Sequence, residues 1–143
     1  MYRINSILRT GLVVLTFLGL TACASAPMKK EGLVLQVSDN NPATWIQAIN
    51  TAQNIPTVYG APLEVEIVAF GAGLNMLKYD SEVGDRLKTA AAKGIAIKAC
   101  GMTMKMMKLT EGDLYPDAGI KVVPSGGIEI MKKQQAGWSY LRP

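Results

Sequence analysis

From residue 33 onward, apolar and polar positions fall into blocks that switch repeatedly between strand-like and helix-like spacing. Leu33 to Val37 is nearly all apolar, the pattern of a strand buried on both faces. Asp39-Asn40-Asn41-Pro42 follows, with polar capping candidates and a proline suited to a first helical turn. Trp45, Ile46, Ile49 and Ala52 then recur on one helical face, and Pro56 predicts the end of that helix or a bend in its last turn. Glu64 to Phe70 reads as a second strand. Val65 and Ile67 alternate there with Glu64 and Glu66, so the start of the strand is expected to be half exposed.

Gly71-Ala72-Gly73 closes that strand. Asp80 or Ser81 can cap a helix whose Val83, Leu87, Ala90 and Ala91 form an inward stripe, and Gly94 stands where a left-handed terminal residue is wanted. Ile95 to Ala99 is a third strand, running into Cys100-Gly101. A helical stretch from about Met102 to Leu109 follows, and Thr110 starts one further short turn. Ile120 to Val123 is a fourth strand, ending at Pro124-Ser125-Gly126-Gly127. The last helix runs from about Ile128 to Gln135, Gly137 stops it, and Trp138 to Leu141 is a short final strand. Strands alternating with helices predict one α/β domain over 33–143, three-layer α/β/α, with a mainly parallel sheet of about five strands. Right-handed crossovers place helices on both faces.

The N-terminal segment has a different character. Arg3 and Arg9 precede an apolar run from Gly11 to Leu20, too short to span a bilayer, which takes about 20 apolar residues. A basic segment, a short apolar core and small residues are the order of a secretory signal. Leu20-Thr21-Ala22-Cys23 resembles the bacterial lipobox, so residues 1–22 are expected to be a lipoprotein signal peptide. Cys23 would then be the lipidated first residue of an exported protein anchored to a bacterial membrane and facing the periplasm. Ordinary cleavage after Ala24 is the rival reading; Ala24-Ser25-Ala26 also fits such a site, but Pro27 would follow the cut. Residues 23–32 read as the lipidated cysteine and a small, charged, proline-containing tether.

Removing the presequence takes two basic residues and no acidic one, so the mature charge is +2 rather than +4. No basic stripe is interleaved with aromatics, and no nucleic-acid partner is expected. The chain has no histidine, which excludes Ser-His-Asp and Cys-His catalysis and makes a zinc site improbable. No metal or cofactor is assigned. With Cys23 lipidated, Cys100 is the only free thiol.

Ligands of open parallel sheets bind outside the carboxyl ends of the strands. Asp39-Asn40-Asn41, Gly71-Ala72-Gly73, Cys100-Gly101 and Ser125-Gly126-Gly127 are all expected there. Cys100 would then begin a helix, whose unpaired N–H groups and partial positive charge favour thiolate, with Lys98 and Lys105 adding to the field. An inert, packed cysteine is the alternative. Ser125-Gly126 before a helix is a candidate anion site or a plain turn. Asp39 is a candidate acid or base or a helix cap. Asn50 and Asn54, four apart, are candidate binding residues or solvated ones. Gly71-Ala72-Gly73 lacks the third glycine of a dinucleotide fingerprint, Met76 standing in its place, and reads as a tight turn.

The stretch Gly94-Ile-Ala-Ile-Lys-Ala-Cys100-Gly-Met-Thr-Met104 resembles the DsrE/DsrF-like family, in which an apolar strand delivers a cysteine to the start of a helix. The tail is similar too: Val122-Val123-Pro124-Ser125-Gly126, then 132–143, Lys-Lys-Gln-Gln-Ala-Gly-Trp-Ser-Tyr-Leu-Arg-Pro. So is the first unit, Val37-Ser38-Asp39 with Trp45 and the helix of Asn50 and Asn54. The resemblance covers about 33–143. It implies that Cys100 carries sulfur as a persulfide between a donor and an acceptor protein, and that the chain forms a trimer or hexamer; Gly101, Met104, Ser125 and Gly126 are candidate binding residues near Cys100. Export departs from the cytoplasmic sulfur-relay members, so an anchored binding or assembly module without chemistry is the alternative. Met102, Met104, Met106 and Met107 add a third reading, soft ligands for Cu(I) together with Cys100.

Overall fold

The computed structural model describes residues 31–143. Residues 1–30, with the expected signal peptide and Cys23, lie outside the described residues. Five strands, β1 (Gly32–Val37), β2 (Glu64–Ala69), β3 (Ala96–Cys100), β4 (Lys121–Val123) and β5 (Ser139–Leu141), form one sheet in the order β4-β3-β2-β1-β5. Every neighbouring pair is parallel. Four helices connect them: α1 (Pro42–Tyr59), α2 (Gly84–Ala92), α3 (Gly101–Met106) and α4 (Gly126–Gln135). This is the predicted α/β architecture.

Alternation along the strands divides the sheet into two unequal faces. Leu33, Leu35 and Val37 point with Ile67, Ala69, Ile97 and Ala99 into the main core, against Trp45, Ile49 and Ala52 of α1 and Leu87 and Ala90 of α2. The other face is covered by α4 with a small apolar contact, Val34 and Val68 against Ile130, flanked by Phe70 and Trp138. β1 begins at Gly32, one residue before the expected start of the domain. Gly32 is buried there because the Trp138 ring lies on it; a Cβ at Gly32 would sit 2.2 Å from that ring.

Local signals fix most helix ends. Asn41 caps α1 by accepting the Ala43 N–H (3.0 Å), and Pro42 opens the helix. Pro56 does not end α1, which runs three residues further to Gly60, a left-handed cap at φ 79°. Gly94 (φ 87°) holds the left-handed stop predicted for it, and Gly137 (φ 85°), expected to stop the last helix, is left-handed too. Neither Asp80 nor Ser81 is the residue before α2; Val83 is, without a side-chain cap. Gly71-Ala72-Gly73 opens a 3-10 helical segment, Gly71–Leu77, rather than a simple turn. Gly73 packs against the end of β1, where a Cβ would lie 2.4 Å from the Val37 carbonyl oxygen.

The largest departure concerns β2. Glu66 is not half exposed but 2% exposed. The physical reason is α4, which lays Lys133 over that face: its Nζ is 3.1 Å from Glu66 Oε2, and Lys98 of β3 reaches the same oxygen at 3.8 Å. Lys133 also sits 3.9 Å above the Trp138 ring. The polar residue in an alternating strand thus faces a second, smaller interior rather than water.

Candidate functional site around Cys100

All strands being parallel, Val37, Ala69, Cys100 and Val123 end on one edge of the sheet. Cys100 terminates β3 and is at once the N-cap of α3. Strand alternation turns its side chain away from the main core and toward α4. The N–H groups of Gly126, at the start of α4, and of Met102 and Thr103, in the first turn of α3, all lie close enough to the Cys100 thiol to favour its thiolate, while the Met102 N–H also donates to the Pro124 carbonyl at 3.2 Å. Two helix starts therefore converge on one sulfur.

The Thr103 hydroxyl adds the fourth donor. Its oxygen in turn accepts the Gly71 N–H at 3.0 Å, which ties the end of β2 to the first turn of α3. Burial is the largest single influence on Cys100, 4% exposed, and pushes the thiol up. The Thr103 hydroxyl and the three N–H groups together outweigh it and hold Cys100 below the ordinary thiol value. Lys105 is exposed and Lys98 is engaged by Glu66, so hydrogen bonds, not lysine charge, stabilise the thiolate.

Small residues make the close approach possible. A Cβ at Gly126 would meet Phe70 at 3.0–3.2 Å, and one at Gly101 would meet the Val123 carbonyl oxygen at 3.2 Å. Glycine at 126 lets α4 begin against the sheet edge, within reach of the sulfur.

The chain belongs to the DsrE/DsrF-like family: the family matches residues 33–143. Among solved structures it is similar to a protein of unknown function, MTH1491, from Methanobacterium thermoautotrophicum. The identity is 26% and the TM-score 0.74, over 80% of this chain and 100% of that one. A conserved protein of unknown function from Bacteroides thetaiotaomicron, BT1422, shares the fold at 19% identity and TM-score 0.59, over 78% and 94% of the two chains. The ychN protein from E. coli shares it at 11% identity and TM-score 0.61, over 81% and 100%. No curated protein matches.

Within this DsrE/DsrF-like domain the other predicted site residues separate. Gly101 and Gly126 border Cys100, and Ser125 is the N-cap of α4, with its carbonyl accepting the Glu129 N–H at 3.0 Å and no side-chain cap bond. Asp39 lies on the same sheet edge, but its carboxylate accepts the Asn41 N–H (3.0 Å) and its carbonyl the Trp45 indole N–H (2.9 Å), the work of a helix-entry turn. Asn50 and Asn54 are exposed on α1, which covers the opposite face. Met104 is buried in the main core, whereas Met102 and Met106 face solvent, so Met104 does not share a face with them. The residue that sequence reasoning missed is Thr103. Its signal was present: three positions after an N-cap is where a side chain and N–H meet the cap.

Proposed function

We propose that the protein is an exported, lipid-anchored sulfur carrier in which Cys100 holds sulfane sulfur as a persulfide. One observation carries the reading: the family's sulfur-type domain here places a thiol of lowered pKa under four donors at the convergence of two helix starts. The Cys100 thiolate attacks the outer sulfur of a donor persulfide, R–S–SH. An S–S bond forms to Cys100, the donor S–S bond breaks, and R–S⁻ leaves, while the proton stays on the transferred sulfur. Loss of that proton gives a persulfide anion facing the same donors. Transfer to an acceptor thiolate is the reverse, and neither step changes the overall oxidation state. No histidine is needed, which suits a chain with none.

The lipobox-like Leu20-Thr21-Ala22-Cys23 supports anchoring through Cys23 on the periplasmic side. Exposed Met102, Met106, Val122, Ile128 and Met131 lie on α3, β4 and α4, the elements around Cys100. Apolar surface there supports assembly into a trimer or hexamer and docking of a sulfur donor or acceptor protein.

Intact-mass spectrometry of the full chain after incubation with inorganic polysulfide tests the carrier reading. Added sulfur atoms that vanish in Cys100→Ser are the expected result. A native fold that takes up no sulfur and resists alkylation at Cys100 refutes it and leaves the anchored binding module. Fatty-acid labelling of the protein should be lost in Cys23→Ser; label that persists there would sink the anchor.

A further inference from the structure

The edge of the sheet opposite Cys100 has its own character. There the strands begin, α1 ends, and Val58 and Tyr59 stand in the last turn of α1, 85% and 52% exposed. Neither contributes to the cores described above. The apolar surface continues into a cavity of about 300 Å³ walled in part by Leu33, Ile55 and Leu63. The Tyr59 hydroxyl donates to Glu31 Oε2 at 2.7 Å, which fixes the ring beside the point where the chain enters the domain. Lys93 and Lys132, in the last turns or caps of α2 and α4, are exposed on the same edge, alongside Glu31 and Glu64.

Chain length says what this edge faces. Only residues 24–30 separate Cys23 from Glu31, and they include Lys29 and Lys30. Fully extended, that stretch reaches at most about 28 Å. An anchored domain is therefore held close to the lipid, and the edge bearing Glu31 is the one that the tether pulls toward it. A short tether makes a weak surface contact effectively intramolecular. A tyrosine with an apolar body and a polar tip suits the headgroup level, and lysines at the rim favour an anionic leaflet.

We infer that this edge is a bilayer-contact surface, with Val58 and Tyr59 seated among lipid headgroups. The inference rests on the anchoring reading above. It fixes the orientation of the site: β3 runs from this edge to Cys100, about 13 Å along the strand at ordinary strand rise, so the thiol points away from the lipid. Sulfur donors and acceptors then approach from the aqueous side.

The test uses the full chain reconstituted in vesicles of phosphatidylethanolamine and phosphatidylglycerol, in a Cys100→Ser background. Val58→Cys carries an environment-sensitive fluorophore, and Ala72→Cys, exposed on the opposite edge, carries it as the control; Val58 is exposed enough for the substitution to leave the fold intact. Brominated lipid should quench the label at 58 several-fold more than at 72, with blue-shifted emission. Intact mass reads the lipid on Cys23 separately. Lipid present with equal quenching at 58 and 72 overturns this inference and leaves the anchor standing. Lipid absent with quenching at 58 upholds the surface and overturns the anchor; lipid absent with equal quenching overturns both. A label at 58 that is blue-shifted before vesicles are added, and is not quenched by brominated lipid, assigns the edge to a second copy and overturns the inference.

Discussion

Thr103→Val isolates one hydrogen bond at the Cys100 thiol with little change of shape. The substitution removes the hydroxyl that donates to Cys100 and accepts from the Gly71 N–H. A hydrogen bond to a charged group contributes about 1.5–3 kcal/mol. With about 1.4 kcal/mol per tenfold, the thiolate fraction below the thiol's pKa falls roughly ten- to a hundredfold. A more basic thiolate is intrinsically more nucleophilic, with a Brønsted slope of about 0.4–0.5, which returns roughly half of that loss on a logarithmic scale. Alkylation of Cys100 at fixed neutral pH should therefore slow by about four- to fifteenfold, and its pH–rate curve should move to higher pH. The Gly71 N–H also loses its acceptor, at about 1–3 kcal/mol, so the thermal midpoint should fall by several degrees. Thr103→Ser keeps the hydroxyl and should restore both. Stopped alkylation with iodoacetamide across a pH series, read by intact mass beside circular dichroism, measures each quantity. A folded Thr103→Val protein with the wild-type pH–rate curve would refute the claim that this hydroxyl stabilises the thiolate.

Glu66 sets a pH dependence of stability with a definite sign. Burial raises its pKa, and Lys133 and Lys98 offset only part of that rise. A raised folded value means stability fully present below the ordinary carboxylate range and lost as pH climbs through the folded value. Glu66→Gln should therefore flatten the curve of thermal midpoint against pH in that window; parallel curves would contradict the assignment. Gly73→Ala forces a Cβ against the Val37 carbonyl oxygen and should destabilise by about 1–3 kcal/mol or more in chemical denaturation, an effect that an open phosphate-binding turn would not suffer. Light scattering on the soluble domain from Lys29 to Pro143 should report a trimer or hexamer; a monomer at high concentration would count against the assembly drawn from the family.

Sequence by itself determined the order of elements and the identity of the edge that carries the thiol. A buried parallel strand must be almost wholly apolar, as Leu33–Val37 is, and a left-handed stop calls for glycine, as at Gly94 and Gly137. These are short-range constraints, satisfied within a few residues, so they are written locally. The placement of Cys100 at the end of β3 follows from the same logic, since an apolar run that ends in Cys-Gly before a helical stretch leaves the cysteine at the junction.

What only the tertiary structure decided is what meets across the chain. Glu66 alternates in β2 as a solvent-facing residue would, and nothing near it in sequence reveals that Lys133, far along the chain, covers it. Likewise the donors at Cys100 come from α3 and α4, and the Thr103 hydroxyl is itself held by the Gly71 N–H just after β2, so the state of the thiol depends on three segments that only the strand order brings together. Met104 and Met102 illustrate the same limit: both lie in one short helix beside the thiol, yet one is packed into the main core and the other faces water. Periodicity tells which residues share a face. Which face meets which partner is set by long-range packing, and the chemistry of a buried thiol or carboxylate is set by those partners.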